Sequence, residues 1–526
     1  MFNYLQFMYT RLKFAALLGV SATCHAQQHN ELPVKHPNII FIMSDDHAYQ
    51  AISAYGSDVS KLAPTPNLDR IANNGMRFNR CLVTNSLSGP SRATILTGKY
   101  SHENGFLANE FGPVFDSSQQ TFPKLLQQAG YQTAIVGKWH LYSNPTGFDY
   151  WEIFPGQGNY YNPDFITENG TKPVAGYATE LVTQKSIEWL KNRDATKPFM
   201  LMVYHKAPHR NWMPGPHELG LYENTTFPEP STLFDDYSGR GKAEHEQDMN
   251  IEHTMEIPYD LKMYSDPKQL YGLERMDKQQ RKSWDSIYHP LIQNFNQSNL
   301  KGKELVKWKY QRYMRDYLAC IAGVDKSVGE ILDYLKQSGL DKNTVIIYAS
   351  DQGFYLGEHG WFDKRFMFEE SERTPLLIEW NNVVKPHSVN NDLVSNLDFA
   401  ETFLDIAGVK VPKNMQGESM LPILKGHTPK DWRKEHYYHY YEYPGVHKVK
   451  RHYGITTDRY KLIHFYYDID EWELFDLKND PNELKNEFNN PKYADVKRDL
   501  MKRLKKLMAK YQDSDSLAQS YLPVKK

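Results

Sequence analysis

Four short segments of the chain are apolar almost without interruption: NIIFIM (38–43), TAIVG (133–137), FMLMVY (199–204) and TVIIYAS (344–350). A strand wetted on one face alternates, whereas a strand buried on both faces does not. These runs therefore predict the inner strands of a parallel sheet covered by helices. The segments between them carry the longer apolar period of helices at 66–75, 90–99, 121–130, 178–192, 307–338 and 393–408, the last stopped by Gly408. Such alternation predicts an α/β fold. From about 210 to 306 the pattern dissolves into Pro, Asn, Asp and Tyr, which reads either as the rim of a binding site or as a surface insertion. Beyond 430, HYYHYYEY, HYGITTDRYKLIHFY and EWELFDLKNDPNEL alternate like antiparallel strands, and KYADVKRDLMKRLKKLMAKYQ is a basic amphipathic helix.

The length of 526 residues exceeds what a single core fills. The expected organisation is a large α/β domain over 27–429 and a smaller α+β subdomain over 430–526, a four-stranded antiparallel sheet with its helix. A net charge of −2 gives no global attraction to nucleic acid, and the lysines of the last helix read as a solvated face. Arg11 and Lys13 precede the apolar FAALLGV, and SATCHA ends at Ala26, which predicts a signal peptide over 1–26. Secretion across an inner membrane, to a bacterial periplasm, is the expectation; lipidation of Cys24 is the alternative. No later stretch has the roughly 18 uncharged apolar residues of a transmembrane segment. A bridge between Cys81 and Cys320 is left open.

Each apolar run empties into residues that chemistry uses. Asp45 and Asp46 follow the first, Lys138 and His140 the second, His205 and His209 the third. Asp351 and Gln352 follow the fourth and lead on to Glu358, His359, Lys364 and Arg365. Ligands of open α/β sheets bind at the carboxyl ends of strands, so these groups should converge. Carboxylates and an amide make an all-oxygen site for Ca²⁺ or Mg²⁺. Lysines and histidines beside it require an anion, so the expected ligand is a tetrahedral oxyanion ester, phosphate or sulfate. In NSLSGPSRATILTG (85–98), Ser88 sits at the mouth of a helix, either as a cap or as a nucleophile facing that anion.

SGPSRATILTG resembles the signature of the sulfatase family, and GKWH, APH and SDQGFYLGEHGWFDKRFMFEESERTPL match further sulfatase blocks in the same order. The resemblance covers roughly residues 36 to 490. It implies the alkaline-phosphatase-like fold, a mixed sheet sandwiched by helices. It also implies that Ser88 is the residue converted to formylglycine, whose hydrate is the nucleophile. Asp45, Asp46, Asp351, Gln352 and residue 88 would hold calcium, with Gln where many relatives have Asn. Arg92 and Lys138 would steady residue 88, and His140 would act as base when sulfate is released. Lys138, His209 and Lys364 would bind sulfate, with His209 protonating the leaving oxygen. A serine at this position implies a radical maturing enzyme of the anaerobic type as partner.

The block 440–484 looks like that of sulfatases acting on the 6-O-sulfate of N-acetylglucosamine, in heparin/heparan or mucin-type glycans. Arg365, His447, Lys448, Arg451 and His452 are the candidates for gripping the sugar. Other carbohydrate or aryl sulfatases, or a phosphate or phosphonate hydrolase of the same superfamily, are the alternative readings. A non-catalytic glycan-binding protein would have no use for the full set of charged residues.

Overall fold

The computed structural model describes residues 36–110 and 114–521. The signal peptide expected over 1–26, with Cys24, lies outside the described residues. Two sheets organise the rest. The larger contains β1 (Asn38–Ser44), β2 (Met76–Leu82), β3 (Gln132–Lys138), β4 (Tyr150–Phe154), β5 (Asp164–Thr167), β6 (Gly170–Pro173), β7 (Phe199–Tyr204), β8 (Thr344–Ser350), β9 (Arg373–Trp380), β10 (Ser388–Asn390) and β11 (Val394–Ser395). Their spatial order is β10-β2-β9-β8-β1-β7-β3-β4-β5-β6, with β11 beside β2.

The four predicted runs are the neighbours β8, β1, β7 and β3, and they pair in parallel. Their alternate residues serve two cores. Ile40 and Ile42 of β1 join Leu201 and Val203 of β7 on one face, whereas Ile39, Phe41 and Met43 join Met200 and Met202 on the other. Burial on both faces explains why the runs carry no polar alternation. Helices Pro66–Asn74, Ala178–Asn192 and Gly302–Ser338 contribute to the first core, and Ser88–Thr97, Phe122–Gln128 and Phe399–Ile406 to the second. Antiparallel neighbours, β9 on one side and β5 on the other, make the sheet mixed.

The second sheet runs β12 (Glu435–Tyr440), β13 (His452–Thr457), β14 (Tyr460–Phe465) and β15 (Glu471–Asp476), antiparallel throughout. Helix Ala494–Lys510 lays Leu500, Leu504 and Leu507 against it and leaves its lysines outward. Two expectations change. The helix expected over 393–408 opens as β11 and a short 3₁₀ turn, and only Phe399–Ile406 is α-helical. The irregular stretch 210–306 does contain a long helix, Lys278–Ser298, which carries Pro290 inside it. Cys81 and Cys320 are free, buried thiols. No described helix is long and apolar enough to cross a membrane.

Candidate active site

The carboxyl ends of β8, β1, β7 and β3 lie side by side, and the residues that follow them meet in one buried cluster. Asp45, Asp46 and Asp351 each bring a carboxylate oxygen within 4.8 Å of the others. The Asp46 N–H donates to Asp351 Oδ1 at 3.2 Å. The Gln352 amide donates to Asp46, and its Oε1 is buried with no partner among the described residues. Gly137 makes the approach of β3 possible: a Cβ there would lie 1.9 Å from the Tyr204 carbonyl of β7. With φ at 107°, the position favours glycine on conformational grounds as well.

Cations interleave with these carboxylates. Lys138 donates to Asp45, and Lys364 Nζ reaches both oxygens of Asp46 at 2.6 and 2.8 Å. Arg92 contacts Asp351 Oδ2 at 2.9 Å through Nη2 and the Lys138 carbonyl at 2.6 Å through Nη1. Burial raises the Asp45 carboxyl, but Lys138, His209, Arg92 and Lys364 outweigh it and hold the group well below its usual range. Asp46 is pushed up to about 7, by burial first and then by Asp45 and Asp351, although Lys364 opposes this. The three carboxylates thus face the side chains of Arg92, Lys138 and Lys364.

Helix Ser88–Thr97 is buried along its whole length. Its N-cap is Leu87, with no side-chain cap, so Ser88 does not serve as one. The Ser88 hydroxyl instead donates to Asp45 Oδ1 at 2.8 Å. The helix start therefore aims this oxygen at the carboxylate cluster.

The two histidines complete the site. His209 Nδ1 lies 2.6 Å from the Arg210 carbonyl and donates to it, which turns Nε2 towards Asp46 Oδ2 at 3.9 Å. His140 Nε2 contacts Gln157 Nε2 at 3.1 Å and the Tyr142 hydroxyl at 3.2 Å. Burial, followed by Lys138, lowers both imidazoles well below the usual histidine range. Asp46, His140, Asp363, Arg365 and His447 all have positive φ, at 65, 58, 79, 95 and 64°. Left-handed backbone at non-glycine residues costs energy and gathers at sites that must aim side chains.

The sugar candidates separate. Arg365 pairs with Glu442 Oε1 at 2.5 Å and with Asp363 at 3.4 Å, and His447 Nε2 reaches Asp363 at 3.2 Å, so these lie in the loop beside Lys364. Lys448 is exposed opposite Asp248. Arg451 is spent on the carbonyls of Tyr443 and Tyr521. His452 requires correction: it is wholly buried, sandwiched among Phe366, Tyr438, Tyr440 and Phe465, and cannot touch a sugar there. Position in a two-sided buried strand decides this, not its residue type. His205 likewise turns into the core, where Nε2 meets Ser327 at 3.1 Å.

Gln157, Lys206, Asp363 and Glu442 belong to the site without having been singled out. Lys206 is held by the Gln157 carbonyl at 3.2 Å, and burial, with Lys138, brings its ammonium down to about 7. Lys206 directly precedes the APH segment, Asp363 stands inside GEHGWFDKR and Glu442 inside HYYHYYEY, whereas Gln157 lies in no such segment.

An all-oxygen carboxylate cluster at the carboxyl end of a mixed α/β sheet, beside a hydroxyl and flanking cations, suits the hydrolysis of an oxyanion ester, phosphate or sulfate. The sulfatase family model matches residues 37–409, and the C-terminal model of N-sulphoglucosamine sulphohydrolase matches residues 357–510. The chain belongs to the sulfatase family and is a sulfuric ester hydrolase. It is 54% identical over 507 residues to the N-acetylglucosamine-6-O-sulfatase of Bacteroides thetaiotaomicron, covering 94% of this chain and 90% of that protein. A solved structure described as a complex with its substrate D-glucosamine-2-N,6-O-disulfate superposes with a TM-score of 0.89 at 54% identity, over 92% of this chain and 99% of the other. A phosphonate monoester hydrolase from Silicibacter pomeroyi shares the fold, with a TM-score of 0.67 at 19% identity over 91% of this chain and 96% of that one.

Proposed function

We propose that the chain removes the 6-O-sulfate of N-acetylglucosamine units in heparin/heparan or mucin-type glycans. The observation that carries this reading is the Ser88 hydroxyl held on Asp45 inside a cluster of three carboxylates and three cations. The sugar is supported by the 54% identity to an N-acetylglucosamine-6-O-sulfatase and by the likeness to a glucosamine disulfate complex.

The donor set fits calcium: Asp45, Asp46, Asp351, residue 88 and the unpartnered Gln352 Oε1 are all oxygen ligands of a hard cation. Bound there, the ion would add positive charge to the cluster and polarise a sulfate oxygen. Formylglycine made from Ser88 by a radical maturing enzyme would supply the attacking hydroxyl. The family implies both groups, and the residues present suit them.

The chain's own residues do the rest. Lys138 and Lys364, already turned into the cluster, bind the sulfate oxygens. Arg92 ties the Ser88 helix to Asp351 and to the end of β3, fixing residue 88 relative to its neighbours. His209 keeps Nδ1–H on the Arg210 carbonyl, so Nε2 is the nitrogen that faces the leaving oxygen, and it donates there once it has taken up a second proton as the imidazolium. His140 takes a proton as sulfate departs. Arg365 and His447 hold the sugar. The signal-like N-terminus supports action in a bacterial periplasm.

The test is sulfate and phosphate release by matured enzyme from a panel of defined substrates. Expected is rapid release from 6-O-sulfated N-acetylglucosamine, with 2-O-sulfated uronate, N-sulfated glucosamine and phosphate esters far slower. Equal rates across the sulfated sugars would remove the 6-O assignment.

A further inference from the structure

We infer that Gln157 is a positioning residue that decides which nitrogen of His140 carries the proton. The inference deepens the role proposed for His140 and rests on that reading for its catalytic consequence, though not for its structural part.

Gln157 stands on a tight turn after β4, between Gly156 and Gly158, both at positive φ. Its Oε1 lies 2.5 Å from Lys138 Nζ and its Nε2 lies 3.1 Å from His140 Nε2. The ammonium of Lys138 can only donate, so the side of the amide facing it must be the oxygen. This fixes the amide orientation by chemistry. The NH₂ group must then face His140, and it donates to Nε2. A nitrogen that accepts a hydrogen bond has no proton of its own, so neutral His140 carries its proton on Nδ1.

Two further contacts hold the device in place. Lys206 donates to the Gln157 carbonyl at 3.2 Å and lies 4.9 Å from the centre of the Tyr160 ring. The Tyr142 hydroxyl, 3.2 Å from the same Nε2, is free to donate alongside the amide. His140 Nδ1 is buried with no partner among the described residues, so its N–H is the donor the ring offers to a bound ligand, and the lone pair that can accept a proton is the one on Nε2. Protonating Nε2 would set N–H against N–H. The ring therefore takes a second proton only when the Gln157 amide withdraws. The other charged groups acting on the ring are Lys138, Arg92 and Lys364, which disfavour its cation, and Asp45, which favours it. Gln157 adds an opposition that is directional and specific to one nitrogen.

The chain's histidines are labelled with ¹⁵N, and the His140 signals are assigned by their loss in His140→Gln. The wild-type ring is expected to show an unprotonated Nε2 and a protonated Nδ1 at neutral pH. In Gln157→Glu the carboxylate accepts instead of donating, and the proton should appear on Nε2. Gln157→Met keeps the length and removes both contacts; proton uptake at Nε2 is then unopposed, and the acid limb of the kcat–pH profile should move to higher pH with KM nearly unchanged. A protonated Nε2 in neutral wild-type His140 would overturn the inference, as would an unchanged ring pattern in Gln157→Glu. The ring spectra need no substrate, so failure of the proposed sulfatase specificity would leave them standing.

Discussion

Ser88 Oγ donates to Asp45 Oδ1 at 2.8 Å, and Asp45 is in turn gripped by Lys138. The carboxylate the hydroxyl is committed to, held despite its burial well below its usual range by Lys138, His209, Arg92 and Lys364, is a weak base for it. That arrangement suits an oxygen that must be rebuilt chemically before it attacks. Protein made without a radical maturing enzyme should carry intact Ser88, bind substrate and scarcely turn over. Coexpression should make the peptide containing residue 88 lighter by two hydrogens and raise kcat by orders of magnitude. Mass spectrometry of the digested peptide, read beside the assay, decides it. Full activity with intact serine alone would refute the assignment.

Asp351 serves two groups at once: its Oδ2 holds Arg92 and its Oδ1 accepts from the Asp46 backbone. Removing it by Asp351→Ala would leave the buried guanidinium with Asp45, 3.8 Å away, as its remaining carboxylate partner, at a cost of about 3 kcal/mol. Asp351→Asn keeps the shape and is the cleaner probe. Its kcat/KM should fall at least about 100-fold, and calcium titrated calorimetrically into the variant should bind far more weakly than to the wild type. Exhaustive chelation of the wild type should abolish turnover, and added Ca²⁺ should restore it.

The sequence reveals the centre of this site because its ligands follow strands whose apolar character is unmistakable. Asp45, Lys138, His209 and Asp351 each follow such a run by one to five residues. The strands beyond β8 in the same sheet are harder to see. β2 reads MRFNRCL, interrupted by a bulge between Phe78 and Cys81, and β9 carries Pro375 within RTPLLIEW. Helix Lys278–Ser298 is polar and contains a proline, two features that argue against a helix locally and are overruled by packing of Trp284 and Tyr288. Gln157 reaches the site from a loop with no period, and Glu442 from two residues beyond the end of β12. Their roles depend on contacts made across long sequence separations, to Lys138 and Arg365, which spacing alone does not encode.

The sugar grip can be separated from structural support. Arg365 stands beside Lys364, paired with Glu442 and Asp363, whereas His452 is a filled position in an aromatic core. Arg365→Met should lower kcat/KM on 6-O-sulfated N-acetylglucosamine about 10- to 100-fold while changing turnover of a small aryl sulfate much less. His452→Ala should act differently, losing about 3 kcal/mol of stability through the cavity it leaves and affecting both substrates alike. Comparing both variants on both substrates, with a thermal melt of each, checks this. A substrate-selective loss in His452→Ala at unchanged melting temperature would contradict the burial argument.

Glu401 lies in helix Phe399–Ile406, behind the C-terminal end of the Ser88 helix, where a Cβ at Gly98 would meet its Oε1 at 2.8 Å. Its Oε1 accepts from the Gly417 N–H at 2.7 Å, but Oε2 is buried without a partner among the described residues. Burial, and then Asp398, push the carboxyl up from 4.5 to about 8. A carboxyl raised on folding stabilises the native state most below its unfolded value, and that contribution is lost as pH rises through the folded value. Glu401→Gln keeps the oxygen that Gly417 needs and removes the ionisation. The two proteins should therefore have the same unfolding midpoint in urea near pH 4, and the variant should gain steadily up to about pH 8 and no further. The gain at the plateau should be on the order of a few kcal/mol. Because every other titrating group is shared, the difference between the curves isolates Glu401, and parallel curves from pH 4 to 9 would show that its carboxyl is not raised.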